Sequence, residues 1–220
     1  MNRIVLIGGG GHASDVLGVI EALIDADHPS VEGLSIAGLL GDDEIDMGRF
    51  TGRGVAQIGS LADIVRVDAT HYVLGIGWPS SRHAVHAQVA SCGLTPSVLV
   101  HPTATVGRGV ALGEGTVVMA GVHLSPMVRV GRHACLSNHA VLGHDAVVGD
   151  FAGLMPASVI SGNTIVGEGC LVGANATLIE GRSMGAWSKL GAGAVAIADV
   201  AEGATVVGVP ARPITPVAEP

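Results

Sequence analysis

Every sixth residue from Val106 to Leu190 is a valine, leucine, isoleucine or methionine. The register runs through fifteen positions without an insertion. Hydrophobic residues of all kinds make up 48% of the 220 residues, so an unbroken run of this length is not chance. The next residue is often glycine, as at Gly107, Gly113, Gly131, Gly143 and Gly149. The residue four after the aliphatic is mostly small or β-branched, as at Thr116, Ala134, Ala140, Ala146 and Ser158. Each hexad therefore reads as a short strand and a turn. The aliphatic side chain points inward, the small residue fits the crowded interior, and the glycine relieves strain at the turn. One rung cannot bury its own apolar face, so rungs must stack. Ordinary alternating strands would instead show a period of two with varied loops. The C-terminal half is thus expected to be an all-β parallel β-helix.

Composition agrees with a narrow, regular interior, because aromatic residues are only 2% while glycine reaches 34 residues. The formal net charge is −8, and Lys189 is the sole lysine. No basic stripe is present, which argues against a nucleic-acid partner. A phosphorylated ligand would have to be held by isolated cations or by backbone N–H groups. Cys92, Cys135 and Cys170 follow no disulfide or metal spacing, so a reduced, cytoplasmic protein is expected. The apolar run at the N-terminus is too short for a signal-peptide core, and no stretch is long enough to span a membrane.

Residues 1–97 lack the repeat and read as α/β. Strands are expected over Arg3–Ile7, Ser35–Leu40 and His71–Ile76, with helices from His12 to about Ala26 and over Pro79–Cys92. Alternation of this kind indicates a small parallel sheet. The loop Gly8–Gly11 opens a helix, which makes it a natural phosphate site or simply a tight turn. Gly8, Gly10 and Ala13 fit the dinucleotide pattern GxGxxA. The acidic ribose ligand of a nicotinamide site should follow by about 20 residues, whereas Asp42 lies about 30 beyond the loop.

On the repeat, His144 and Asp145 occupy the third and fourth places of a hexad, which point outward at a turn. An imidazole beside a carboxylate offers a general base and a group to polarise it. No cysteine has a partner arrangement that would make it a nucleophile, so the pair would act on a bound substrate directly.

Together, the motifs Gly8–His12, Asp42–Asp43, Gly75–Arg82 (GIGWPSSR), the hexapeptide repeat with GHDAVVGDF, and the closing VVGVPAR resemble one family. It is the left-handed β-helix acyltransferases, in the subfamily of sugar-nucleotide N-acetyltransferases and sialic acid O-acetyltransferases. The resemblance covers nearly the whole chain. It implies a Rossmann-like domain over 1–97 that binds the nucleotide of the acceptor sugar, and a left-handed β-helix over 98–220. Fifteen hexads would then make about five coils of 18 residues. The resemblance further implies a homotrimer with active sites in grooves between subunits. Its cosubstrate is acetyl-CoA, and its acceptor is the amino group of a nucleotide-linked amino sugar, with a sugar hydroxyl as the alternative.

Carried over residue by residue, Gly8, Gly9, Gly10, Gly11, His12, Gly77 and Arg82 would meet the sugar nucleotide, and Asp42 and Asp43 its base. His144 would be the general base and Asp145 its orienting partner. Gly162, 18 residues on, would offer an N–H to the acetyl carbonyl, and Lys189 and Arg212 would meet CoA phosphates. The sequence departs from the family at Gly41, at Ser137, where the family often has asparagine, and at Gly153, where it often has a second histidine. His133 and His139 are the candidates to replace that histidine. Two other readings of the same scaffold compete. One is a γ-class carbonic anhydrase-like zinc site using His139 and His144, for which the third ligand position falls on Thr103. The other is a non-catalytic scaffold.

Overall fold

The computed structural model describes residues 3–29 and 32–215. Contacts divide the chain into two compact units, Met1–Pro102 and Thr103–Pro220.

The first unit is built on five parallel strands: β1 (Arg3–Ile7), β2 (Ser35–Leu40), β3 (Gln57–Gly59), β4 (His71–Leu74) and β5 (Thr95–Pro96). Their order is β3-β2-β1-β4-β5. β1 pairs with both β2 and β4, so the direction of winding reverses beside it, and open sheets of this kind bind ligands beyond the strand ends at that switch. The central strands are almost continuously apolar and buried, as parallel strands covered on both faces must be. Helix α1 (Gly11–Asp25) buries Ala13, Val16, Leu17, Ile20 and Leu23, a stripe with helical spacing. Helix α2 (Pro79–Val89) starts with proline, whose missing N–H is harmless in a first turn. β4 stops at Leu74, two residues earlier than the sequence suggests. A side chain at Gly75 would sit 2.8 Å from the Ala13 Cβ, so the chain there packs directly against α1.

The second unit is a parallel β-helix with two-residue strands on three faces. The first face carries Val141–Leu142 and Val159–Ile160, the second Val147–Val148 and Ile165–Val166, and the third Cys135–Leu136, Gly153–Leu154 and Lys189–Leu190. Strands of a face pair in parallel at a spacing of 18 residues, as Val141 does with His123 and Val159, until Lys189 pairs with Thr205 at a spacing of 16. From Val118 to Leu190 the sixth-position aliphatics are at most 5% exposed. Val106 is 47% exposed, because Thr105–Val106 is the edge strand of its face and nothing in the repeat precedes it. The two threonines of the small-residue slot are satisfied inside, where Thr116 Oγ1 donates to the Gly131 carbonyl at 2.7 Å and Thr164 Oγ1 to that of Ser161 at 2.8 Å, whereas the buried Ser158 Oγ has no partner among the described residues.

The glycine of each hexad does not serve the turn as the sequence suggests. The left-handed turn residue is the fourth position, held by Met127, His133, His139, Asp145, Phe151, Asn163 and Trp187 among others, all at positive φ. The second-position glycines are needed for a different reason: a Cβ at Gly143 would meet the Gly162 nitrogen at 2.5 Å, and one at Gly149 the Glu168 nitrogen at 2.6 Å. Adjacent coils therefore touch through their backbones at the corners that carry these glycines. A final antiparallel hairpin, Thr205–Val207 with Arg212–Ile214, ends the third face.

Candidate active site

His144 and Asp145 lie at the corner between the first and second faces. Asp145 is the turn residue, with φ of 60°, and its N–H donates to the Pro126 carbonyl of the preceding coil at 3.2 Å. This conformation swings its carboxylate back along the chain. His144 Nδ1 and Asp145 Oδ2 are 2.9 Å apart, so the two neighbours are directly hydrogen-bonded. A carboxylate accepts and never donates when ionised, so in the neutral imidazole Nδ1–H donates to Asp145 and Nε2 keeps its lone pair. The imidazole is 57% exposed, open to a substrate.

Gly162 lies directly against that ring. A Cβ at Gly162 would fall 2.7 Å from Nε2 and 2.8 Å from Cε1 of His144. Its N–H donates to no group among the described residues, while the N–H of its neighbour Asn163 donates to the His144 carbonyl at 2.9 Å. The corner thus places the Nε2 edge of an imidazole beside a backbone N–H that no described residue engages. That pair can remove a proton and stabilise an oxyanion.

Other candidates fall elsewhere on the β-helix. Lys189 is in the third face and Arg212 on the closing hairpin, with its Nη1 donating to the Ala211 carbonyl; neither shares the corner of His144. Arg182, overlooked in the sequence, does share it. It follows Gly181, whose N–H donates to the Gly162 carbonyl, and it is exposed. His133 and His139 turn at the other two corners. His133 is buried and stacks on Phe151 with ring centroids 5.5 Å apart, and His139 lies between the third and first faces. Among the described residues no three His, Cys, Asp or Glu side chains form a metal-binding group, and Thr103 accepts a hydrogen bond from the Gly121 N–H.

The first unit has its own cavity, of about 350 Å³, at the carboxyl ends of β1 and β2. Gly8, Gly9 and Gly10 form one wall, the loop Gly41–Asp46 another, and Leu61, Ile76 and Val85 the rest. Gly8 has φ of +116°, and a side chain there would strike the Gly75 carbonyl oxygen at 2.8 Å, so the two loops can lie together only as glycines. Nothing lies within 4 Å of where a Cβ would be on Gly10 or Gly11, leaving the N-terminus of α1 open. Asp42 and Asp43 both line the cavity, but Asp42 Oδ1 also accepts from the Leu61 N–H at 2.9 Å. Arg82 is buried, and its Nη1 donates to the carbonyls of Ile76 and Gly77 at 2.7 and 2.8 Å. It braces the loop after β4 and does not line the cavity. Glu44, Ile45 and Asp46 line it without having been singled out in the sequence.

His12 is half-buried at the start of α1, and burial pushes its imidazole down to about 4, helped by the Arg82 guanidinium and opposed by Asp15. It is therefore neutral at pH 7. Because the folded pKa lies below the unfolded value, both states are deprotonated above pH 6.5. As the pH falls from there towards 4, only the unfolded chain takes up the proton, and the folded unit loses stability. Wild type should lose about 2–3 kcal/mol relative to His12→Gln between pH 7 and pH 4.5. Urea titrations followed by Trp78 fluorescence in a Trp187→Phe background would measure this, and equal pH slopes for the two proteins would refute it.

Comparison with known proteins places this geometry. Residues 163–196 match the family described as the hexapeptide repeat of succinyl-transferase. Among curated proteins, none matches the chain. Among solved structures, the chain is similar to PerB from Caulobacter crescentus in complex with CoA and GDP-perosamine, at 29% identity over 98% of each chain with a TM-score of 0.86. It is also similar to the acetyltransferase domain of PglB from Neisseria gonorrhoeae in complex with acetyl coenzyme A, at 27% identity over 97% of this chain and 100% of that one, TM-score 0.86. WeeI from Acinetobacter baumannii, 20% identical over 97% of this chain with a TM-score of 0.81, shares the fold.

Proposed function

We propose that this chain, a hexapeptide-repeat acyltransferase of the left-handed β-helix class, transfers acetyl from acetyl-CoA to the amino group of a nucleotide-linked amino sugar. The observation that carries the proposal is the His144 ring, with Nδ1 held by Asp145 and the edge bearing Nε2 lying against Gly162. His144 Nε2 takes a proton from the acceptor amine as the nitrogen attacks the thioester carbon. The carbonyl oxygen becomes an oxyanion, which the Gly162 N–H receives. The carbon–sulfur bond then breaks, and the CoA thiolate takes the proton from the imidazolium. No acyl-enzyme is needed, and the cysteines of the β-helix are unsuited to one. Cys135 and Cys170 are buried, and burial raises the Cys170 thiol above its ordinary value.

The likeness to a complex with CoA and GDP-perosamine supports a sugar-nucleotide acceptor. In this reading the cavity of the first unit, which we take to be a Rossmann-like nucleotide site, receives the nucleotide. The open N-terminus of α1 at Gly10 and Gly11 faces the diphosphate, with neutral His12 beside it. Arg182, about 10 Å or two coils from His144 along the corner, is better placed than Lys189 or Arg212 to meet the CoA phosphates. A homotrimer is favoured by the apolar side chains left exposed around this corner, Met127, Val141, Val147 and Ile165.

The test is thiol release from acetyl-CoA against GDP- and UDP-linked 4-amino and 3-amino sugars, with sialic acid alongside. Release that depends on an amino sugar supports the proposal. Release with sialic acid alone would move it to O-acetylation, and release with no acceptor would overturn it.

A further inference from the structure

The loop Gly41–Asp46 supplies six of the residues lining the first unit's cavity, yet it forms neither helix nor strand. Its shape is held by one side chain from β3. Gln57 Nε2 donates to the carbonyls of Gly41 and Asp43, each at 3.0 Å, and Gln57 Oε1 accepts from the Ile45 N–H, also at 3.0 Å. Both ends of one carboxamide are thus used on alternate residues of the loop, as a neighbouring strand would use its own backbone. The Asp42 carboxylate meanwhile reaches the Leu61 N–H. The Ile45 side chain, only 7% exposed, fills the space above Gly9 that a Cβ there would need, and it lies 3.1 Å from the corresponding point on Gly41. Holding Ile45 therefore also sets the distance between the acidic loop and the glycine loop.

We propose that Gln57 is a positioning residue for the nucleotide: it fixes the loop that presents Asp43, Glu44 and Asp46 and keeps the cavity open at the width set by Ile45. This rests on the reading of that cavity as the sugar-nucleotide site. Gln57 touches no substrate in this scheme, and its effect is confined to one of the two substrates. Without it, the Gly41 and Asp43 carbonyls and the Ile45 N–H lose their partners, and the loop must rearrange to regain them.

The experiment titrates GDP and UDP calorimetrically into wild type, Gln57→Ala and Gln57→Glu, and measures steady-state constants with GDP-perosamine and acetyl-CoA. For Gln57→Ala, affinity for the diphosphate that wild type binds should fall about tenfold or more, with the acetyl-CoA KM and the kcat at saturating sugar within about twofold of wild type. Gln57→Glu is a second reading in a side chain of the same length. At pH 8 its carboxylate faces two carbonyl oxygens and binding should be as weak as in Gln57→Ala. Part burial and the two facing carbonyl oxygens raise this carboxyl above the ordinary glutamate value of about 4.3, so towards pH 5 it takes up a proton and donates again, and affinity should recover relative to Gln57→Ala at the same pH. Wild-type affinity in Gln57→Ala would overturn the proposal and leave the nucleotide site standing. So would parallel losses for both substrates, or a Gln57→Glu protein without pH recovery. Wild type that binds neither diphosphate would overturn the nucleotide reading and this proposal with it.

Discussion

Replacing His144 with alanine is expected to lower kcat/KM for acetyl transfer by about 10²–10⁴, the range for loss of a positioned general base. The amine must lose a proton as its nitrogen attacks, and Nε2 is the available acceptor at this corner. The folded state should be almost untouched. The imidazole is 57% and the Asp145 side chain 53% exposed, and an exposed pair of this kind contributes about 0–1 kcal/mol. A kinetic collapse with an unchanged melting temperature would therefore separate chemistry from structure. Asp145→Asn should show a smaller loss, because an amide can offer Nδ1 its oxygen as well as its NH2, so part of the population keeps Nε2 as the base. If thiol release with the amino sugar survives in His144→Ala, another group accepts the proton and the assignment fails.

The β-helix was legible because its interior repeats one demand. Every rung needs an aliphatic and a small residue in the same two places, and stacking allows no insertion. The same arithmetic held a warning about Lys189. It lies 45 residues after His144, two and a half turns of an 18-residue coil, and so falls on another side, whereas Arg182 lies two residues past Glu180, which holds the His144 slot two coils on. The role of the glycines was not legible. Sequence reasoning gave them the turn, but the turn falls on residues such as Asp145 and Phe151 at positive φ, while glycines such as Gly143 are required by the backbone of the next coil. The His144–Asp145 hydrogen bond depends on that φ and cannot be inferred from adjacency alone. In the first unit, β3 has three residues and β5 two, too few to show a period. Gln57 and Ile45 escaped notice for a related reason. Their contacts are set by how β3 lies beside the loop after β2, and no motif marks either residue. Arg82, by contrast, stood out in a motif and proved to be a buried brace for the loop after β4.

Gly162→Ala should be nearly as damaging as loss of His144 itself, although it adds only one methyl group. The added carbon would lie 2.7 Å from Nε2, 2.8 Å from Cε1 and 3.1 Å from Cδ2 of the ring, inside contact distance along a whole edge. The Gly162 backbone is pinned through its neighbours, by Asn163 to His144 and by Gly181 to Gly162 itself, so the imidazole must move. Turning the ring breaks its 2.9 Å bond to Asp145 and carries Nε2 away from the N–H that would hold the oxyanion. A shift of about 1 Å at a reacting group can cost about 10²-fold, and that is the expected fall in kcat, with the acetyl-CoA KM little changed. The backbone at Gly162 is not in the left-handed region, so folding stability should fall by no more than about 1 kcal/mol. Gly181→Ala supplies the control. It lies one coil further along the same corner at φ of +69° with nothing within 4 Å, so it should cost some stability through its backbone and leave activity intact. The double variant His144→Ala/Gly162→Ala should be no slower than His144→Ala alone, since both changes remove one unit of chemistry. Full activity in Gly162→Ala, or losses that simply add in the double variant, would mean that the ring does not work from the position described.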